Sequence, residues 1–480
     1  MKSRKAIRFL VVAVVLAAIL GLSAGCGNTG APEAKPQSEI KTYEKGYRFD
    51  SEGWIYVHIE GEPYERGFQY GRLVAPELAE IKKMLKGTML DDTGQDYEYF
   101  VRAAEELFTR NSIDEFLTEI KGVADGARSA GTDITWQEVL EWNGNMELTG
   151  YWYPGVQAGD YQGIDKTHCS AFIATGSYTE GGKVVMAHND WDHYVNGQNA
   201  NLVLDIEPAQ GHRILMQSFP GCIASMTDYF VTDAGLMGTE TTIGSYSSFD
   251  PDKMAEFYRM RNATQYADTL DEWVALMQQD NNGGYANSWL LADTDSREIM
   301  RFEQALENQS VQKTRDGFYV GFNSAVDPRI RNLECNGDPT YSDIRTPMGA
   351  RRVRLTQLMN DYRGDIDVEV AHAVLSDHYD VYLDEADNPC SRTIEGRYDL
   401  DPFAYWQARR PYVPQGCLDG KATDSDMAGE MSFTARWGSS SGLPFDAEEF
   451  LEEHPQWDYL APFLEDRPTM PWVTFKAGMK

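Results

Sequence analysis

The sequence predicts a mixed α and β protein, with runs of strands flanked by runs of helices. Two features carry that reading. Helical patterns fill 61–145, strand patterns broken by Gly, Pro and Asp turns fill much of 169–322, and helical patterns return at 350–375. A chain of 480 residues, 42% hydrophobic and 25% charged, can also bury a large core, as one big domain or two.

Taken in order, residues 1–26 read as a targeting segment. Lys2, Arg4, Lys5 and Arg8 precede the apolar run Phe9–Leu22, which is short for a membrane span and ends in small residues. The ending Leu22-Ser23-Ala24-Gly25-Cys26 resembles a bacterial lipoprotein signal, which makes Cys26 the lipidated first residue. Ser23 departs from the aliphatic residue usual there, so plain secretory cleavage is the alternative. Both place the protein outside the cytoplasm, at the cell surface or in the periplasm, or secreted. Residues 27–46, with Pro32 and Pro36, read as a flexible linker, and the first strand is expected at Trp54–Ile59.

Pro63 suits a first helical position, and Tyr64, Phe68, Leu73, Leu78, Ile81 and Leu85 make a helical stripe behind it. Gly67 and Gly71, four apart, cost helix propensity and so predict close approach of another backbone. Ile120, Val123, Ala124, Gly126 and Ala127 form a small-residue face on a second helix. Asp133 is a plausible cap for a helix over Thr135–Asn145, and Tyr151–Lys166 reads as loop.

The stretch from His168 to Tyr194 organises the rest. A strand beginning at Cys169, a turn at Gly181-Gly182 and a second strand ending in His188, Asn189, Asp190, Trp191 and Asp192 make a hairpin. Such a hairpin sets a thiol beside hydrogen-bonding groups, the surroundings an activated nucleophile needs. Further strands are expected at 201–206, 214–219, 228–232, 236–240, 288–292, 298–302 and 317–322, and helices at 254–261, 270–278, 350–362 and 368–375.

The net charge of −32 excludes nucleic acid as a natural partner, because phosphate binding needs clustered Lys and Arg. An anionic membrane surface would also repel this chain. No cofactor is expected, nor a metal. The run His188–His193 has suitable ligand types, but no second cluster at recognisable spacing completes a site.

Cys169-Ser170-Ala171-Phe172, followed by Ala187-His188-Asn189-Asp190-Trp191-Asp192-His193-Tyr194, resembles the phospholipase B-like proteins and the peptidase C45 family of penicillin acyl transfer. Both are N-terminal-nucleophile hydrolases. Asn281-Asn282-Gly283-Gly284-Tyr285-Ala286-Asn287-Ser288-Trp289 is similar to a second stretch of the phospholipase B-like proteins. The resemblance runs with gaps from Trp54 to Trp472. It implies an α+β fold, a four-layer αββα sandwich, and a precursor that cuts itself between His168 and Cys169, after which the freed amine of Cys169 is its own base.

It also implies catalytic roles for Cys169, His188, Asn189 and Asp190, with the aspartate role lying between Asp190 and Asp192, and an oxyanion donor in Asn287. Glu240, within Gly238–Thr242, Trp191 and Arg351 would support the site. Residues 47–168 would then be an N-terminal helical segment, a candidate propeptide or small chain that stays associated, and 169–480 the catalytic domain.

Two rival readings have other sources. A papain-like pair would join Cys169 to His372 or His378, although that family's local Cys signature is missing. A non-catalytic surface binding protein of the same fold needs no cleavage at all. Of the remaining cysteines, Cys390 and Cys417 are the expected disulfide, by closeness in sequence. The function expected is an exported hydrolase of an amide or ester bond in an acylated small molecule or lipid.

Overall fold

The computed structural model describes residues 30–158, 169–402 and 411–480. Cys26 and His168, and with them the expected lipidation and one side of the expected cleavage bond, lie outside the described residues. Among those described, sixteen strands build two sheets. They are β1 (Lys41–Tyr43), β2 (Gly46–Ser51), β3 (Trp54–Gly61), β4 (Cys169–Thr175), β5 (Val185–His193), β6 (Leu202–Pro208), β7 (Ile214–Ser218) and β8 (Tyr229–Thr232). There follow β9 (Leu236–Thr242), β10 (Asn287–Asp293), β11 (Glu298–Gln304), β12 (Gln309–Thr314), β13 (Gly317–Gly321), β14 (Gln415–Asp424), β15 (Ser432–Trp437) and β16 (Val473–Lys476).

The ten-stranded sheet has the order β1-β2-β3-β6-β7-β8-β9-β10-β11-β12, and the six-stranded sheet β13-β4-β5-β14-β15-β16. Only β3 and β6 pair in parallel; every other ladder among the described residues is antiparallel. The sheets pack face to face. Tyr229 of β8 meets Phe433 of β15 with ring centroids 5.3 Å apart, and Trp54 of β3 meets Trp437 of β15 at 5.3 Å.

Helices cover both outer faces. Trp273, on the helix Leu270–Gln278, packs on Trp289 of β10 at 4.9 Å. On the other side, the helices Pro347–Asp361 and Val368–Leu375 lie on the six-stranded sheet, where the His372 ring bonds Thr434 Oγ1 at 2.8 Å. This is the expected αββα sandwich. Residues 32–480 form one compact unit, and none of the described helices is long and apolar enough to cross a membrane.

The two glycines expected to admit another backbone do so. A Cβ on Gly67 would lie 2.1 Å from Glu119 O, and one on Gly71 only 1.8 Å from Val123 O. The opposing helix Asp114–Ser129 answers with Gly122 and Gly126, whose Cβ atoms would meet Tyr64 O and Phe68 O at 2.5 and 2.1 Å. Only hydrogen side chains at all four positions let these two helices touch backbone to backbone.

Four expectations are corrected. The fold starts before Trp54: Ala34 is buried, Ala34 N donates to Thr474 O at 2.9 Å, and β1 and β2 build the sheet edge, so residues 34–46 are held by the core rather than tethered. Thr135, not Asp133, caps the helix Trp136–Glu147, in a reciprocal capping box with Glu138. Leu148–Trp152 is a π-helical turn and Tyr153–Ala158 an α-helix, where loop was expected. Cys390 and Cys417 do not pair; each is a buried thiol.

Candidate active site

Alternation along the β4–β5 hairpin sorts the site residues. Cys169 stands opposite Asp190 and Ala171 opposite His188, so Cys169, His188 and Asp190 share one face. Asn189 and Trp191 project to the other face, toward the helix layer. There Asn189 Nδ2 donates to Leu375 O at 2.8 Å and to Ile394 O at 3.3 Å, while its Oδ1 accepts from Ser440 Oγ at 2.6 Å. Asn189 thus fastens the helix layer to the sheet and stands away from the thiol. Trp191 lies under the Arg351 guanidinium, 4.2 Å from its ring centroid.

Cys169 is fully buried and held at both backbone ends. Its N–H donates to Asn323 Oδ1 at 3.2 Å, and its carbonyl accepts from Arg351 Nη1. Arg351 also donates to Asn323 Oδ1 at 2.9 Å and to Ser170 Oγ at 3.3 Å, tying both clamps together. Asn323 Nδ2 in turn donates to Thr242 O at 2.9 Å, which links this corner to the other sheet.

Sγ lies 3.9 Å from both Asp190 Oδ1 and Asp228 Oδ2. Tyr285 OH donates to Asp228 Oδ2 at 3.1 Å. A ring nitrogen of His188 lies within 4.8 Å of both Sγ and the Asp228 carboxylate. Behind them, the buried Lys421 Nζ pairs with Asp419 Oδ1 at 2.7 Å and donates to Thr227 O at 3.3 Å.

Burial governs the protonation states here. It pushes the Cys169 thiol well above its ordinary value, and the Asp190 and Asp228 carboxylates add to that. His188 is driven well below its usual value by burial and by the Lys421 ammonium, so its ring stays neutral. Asp228 is pushed up to about 6, chiefly by burial, and Asp190 and Glu240 are raised well above the carboxylate range for the same first reason. The thiol therefore needs a base to release its proton.

The remaining expected residues are placed as follows. Asn287 opens β10 opposite Thr242; it is buried, and neither atom of its side-chain amide has a hydrogen-bond partner among the described residues. Glu240 is buried beside Asp228 and Tyr285. Asp192 lies two residues beyond Asp190, and its Oδ1 accepts from His193 N at 2.6 Å. His372 stacks on Trp472 at 3.7 Å and His378 bonds Glu395, so both are engaged in the outer layer.

Asp228, Tyr285 and Asn323 escaped the sequence reading. All three are non-glycine residues held at positive φ, 64°, 50° and 63°. Strained backbone of this kind concentrates at functional sites. The one sequence signal was the Asn281–Trp289 stretch. There Asn281 and Asn282 side chains accept from Gly283 N and Gly284 N at 3.0 and 2.9 Å and set the turn that presents Tyr285.

A cleft of about 330 Å³ opens beside this corner, with Thr242 and Tyr285 in its wall. Leu85, Met89, Met146, Val195, Trp457 and Leu460 make it largely apolar. Asp92 and Asp192 also line it, and among the described residues no Lys or Arg does.

The likeness to phospholipase B-like proteins read from the sequence is borne out. Residues 96–312 match the family model described as Phospholipase B. An uncharacterized protein of Archaeoglobus fulgidus is 25% identical, over 88% of this chain and 76% of its own. Phospholipase B of Crotalus adamanteus is 25% identical over 58% of this chain and 53% of its own, and Phospholipase-B 81 of Drysdalia coronoides 27% identical over the same shares. The chain thus spans about half the length of these two relatives. Among solved structures, a mutant conjugated bile acid hydrolase from Clostridium perfringens aligns at 10% identity, covering 56% of this chain and 88% of that one with a TM-score of 0.34.

Proposed function

From the match to phospholipase B over residues 96–312 and the setting of Cys169, we propose that this chain is an exported cysteine hydrolase of acyl amides or esters. It cuts itself before Cys169 and uses the freed amine as base. The observation that carries the reading is the thiol clamped by Asn323 and Arg351, facing two carboxylates beside an apolar cleft.

An α-amine titrates at about 7.7–8.0, close to neutral, and can take the proton that the buried thiol holds. The thiolate attacks the acyl carbon, and the electron pair of the carbonyl moves to oxygen. Asn287, whose buried amide has no hydrogen-bond partner among the described residues, supplies a donor to that oxyanion. Collapse expels an amine or alkoxide, which takes the proton back from the ammonium. Water then hydrolyses the thioester, releasing the acid and restoring the thiol. Asp228, pushed up only to about 6 and so ionised at neutral pH, stabilises the ammonium formed in between.

The cleft accommodates an acyl chain. Its acidic residues, together with the net charge of −32, favour neutral or cationic acyl compounds over anionic phospholipids. Export follows from residues 1–26, and lipidation of Cys26 would anchor the protein. The test is mass spectrometry of the protein after brief exposure to neutral acyl amides and esters. An acyl adduct on Cys169, absent from an inactive Cys169→Ala, supports the reading; full turnover by Cys169→Ala sinks it.

A further inference from the structure

We propose that Cys169, His188 and Asp228 form a zinc site, and that Zn²⁺ bound there holds the nucleophile inactive. The three ligands come from the head of β4, the middle of β5 and the turn before β8, so no short sequence spacing reveals them. Their donor atoms, a sulfur, a ring nitrogen and a carboxylate oxygen, all lie within 4.8 Å of one another. In a tetrahedral zinc site with the usual bond lengths, thiolate sulfur and carboxylate oxygen stand about 3.5 Å apart. Sγ and Asp228 Oδ2 are 3.9 Å apart, so a shift of a few tenths of an ångström brings that pair to zinc spacing, and the His188 ring, within 4.8 Å of both, swings in to complete the set. Thiolate with imidazole and a carboxylate is the donor chemistry that suits zinc.

Independent observations point to a ligand at this place. His188 is fully buried; the Glu240 backbone is the one polar group that acts on its ring at hydrogen-bonding range, and at least one ring nitrogen is left without a partner among the described residues. Buried polar groups are ordinarily paired, and a metal would satisfy one of these nitrogens. Asp228 is held at a φ of 64°, with its carboxyl against that of Glu240. Tyr285 OH, 3.1 Å from Asp228 Oδ2, is placed as the outer partner that orients a ligating carboxylate. Tyr285 also lines the cleft, so the opening comes within one side chain of Asp228. Asp190, whose Oδ1 is 3.9 Å from Sγ, adds a further oxygen at the same corner.

Binding is an exchange without redox change: the Cys169 thiol gives its proton to solvent, and its sulfur pair forms the bond to zinc. That pair is then unavailable to attack a carbonyl. Removing the ion returns the thiol, so the block is reversible. Inhibition rests on Cys169 being the nucleophile; binding does not.

The experiment titrates purified, chelator-stripped full-length protein with Zn²⁺ against a chromophoric chelator, and repeats it with Co²⁺. The site predicts one tight Zn²⁺ per chain, loss of iodoacetamide labelling at Cys169, and a thiolate-to-cobalt charge-transfer band missing from Cys169→Ser. His188→Gln and Asp228→Asn should each weaken zinc binding at least tenfold. Should either variant fail to fold, the wild-type stoichiometry and the cobalt band decide. Undiminished labelling under excess zinc, or cobalt bound without a thiolate band, overturns the site. Zinc binding as described in a protein that turns over no acyl substrate leaves the site standing and removes the hydrolase. Turnover that zinc does not inhibit, in protein that fails to retain zinc, does the reverse.

Discussion

Cys169 and Asp190 stand directly opposite each other in the β4–β5 ladder, with Sγ 3.9 Å from Oδ1. The hairpin sets that distance by register, so the thiol meets its carboxylate neighbour without help from a flexible loop. A slip of one residue would exchange Asp190 for Asn189 or Trp191 and turn the polar cluster toward the helices. Burial and this register together make a thiol that stays protonated until a base reaches it.

Asn287→Ala should lower kcat by about 10²–10³ with an unchanged melting temperature, as expected for loss of one oxyanion donor. Its amide has no partner among the described residues, so truncation frees no other buried group. Steady-state kinetics beside a thermal melt checks this, and full activity would remove Asn287 from the mechanism.

Gly71→Ala should destabilise the protein by about 1–3 kcal/mol or more, because its Cβ would sit 1.8 Å from Val123 O and must force two helices apart. A Cβ on Gly429 would meet no heavy atom within 4 Å, so Gly429→Ala serves as the neutral control. Thermal or denaturant unfolding of the pair distinguishes helix packing from a general intolerance of substitution.

Glu141→Gln should stabilise the protein at alkaline pH. Glu141 is buried; Asn145 Nδ2 donates to its Oε1 at 2.6 Å, Oε2 has no partner among the described residues, and burial pushes the carboxyl up to about 8. An unfolded Glu titrates at about 4.3. Between those values the folded chain holds a proton that the unfolded chain has lost, so stability falls as pH rises, by at most about 1.4 kcal/mol per pH unit. Glutamine has no such slope. Melting temperatures should therefore converge near about pH 4–5 and separate toward pH 8, with the variant higher; parallel curves would show that Glu141 is already ionised at neutral pH.

Much of this architecture is legible in the sequence where local pattern and tertiary setting agree. The helices Leu270–Gln278 and Val368–Leu375 and the two strands around Cys169 fall where periodicity puts them. Strands with atypical chemistry do not. Gln309–Thr314 is a polar edge strand, and Gln415–Asp424 buries an Asp419–Lys421 ion pair between the sheets, a composition that reads as loop. The site divides in the same way. Cys169 and the His188–Asp192 cluster share one hairpin and announce themselves. Asp228, Tyr285 and Asn323 arrive from separate turns at positive φ, and only the folded chain assembles them. Asn189 illustrates the converse: a polar residue inside a catalytic-looking run is turned by strand alternation to a structural task.

Whether Cys169 works as an amino-terminal nucleophile is read from intact mass and amino-terminal sequencing of purified, active protein. Two associated fragments are expected, the second beginning at Cys169, and a single uncut, inactive chain for Cys169→Ala. Active wild-type protein running unbroken through His168–Cys169 would contradict an amino-terminal nucleophile and pass the role of base to His188.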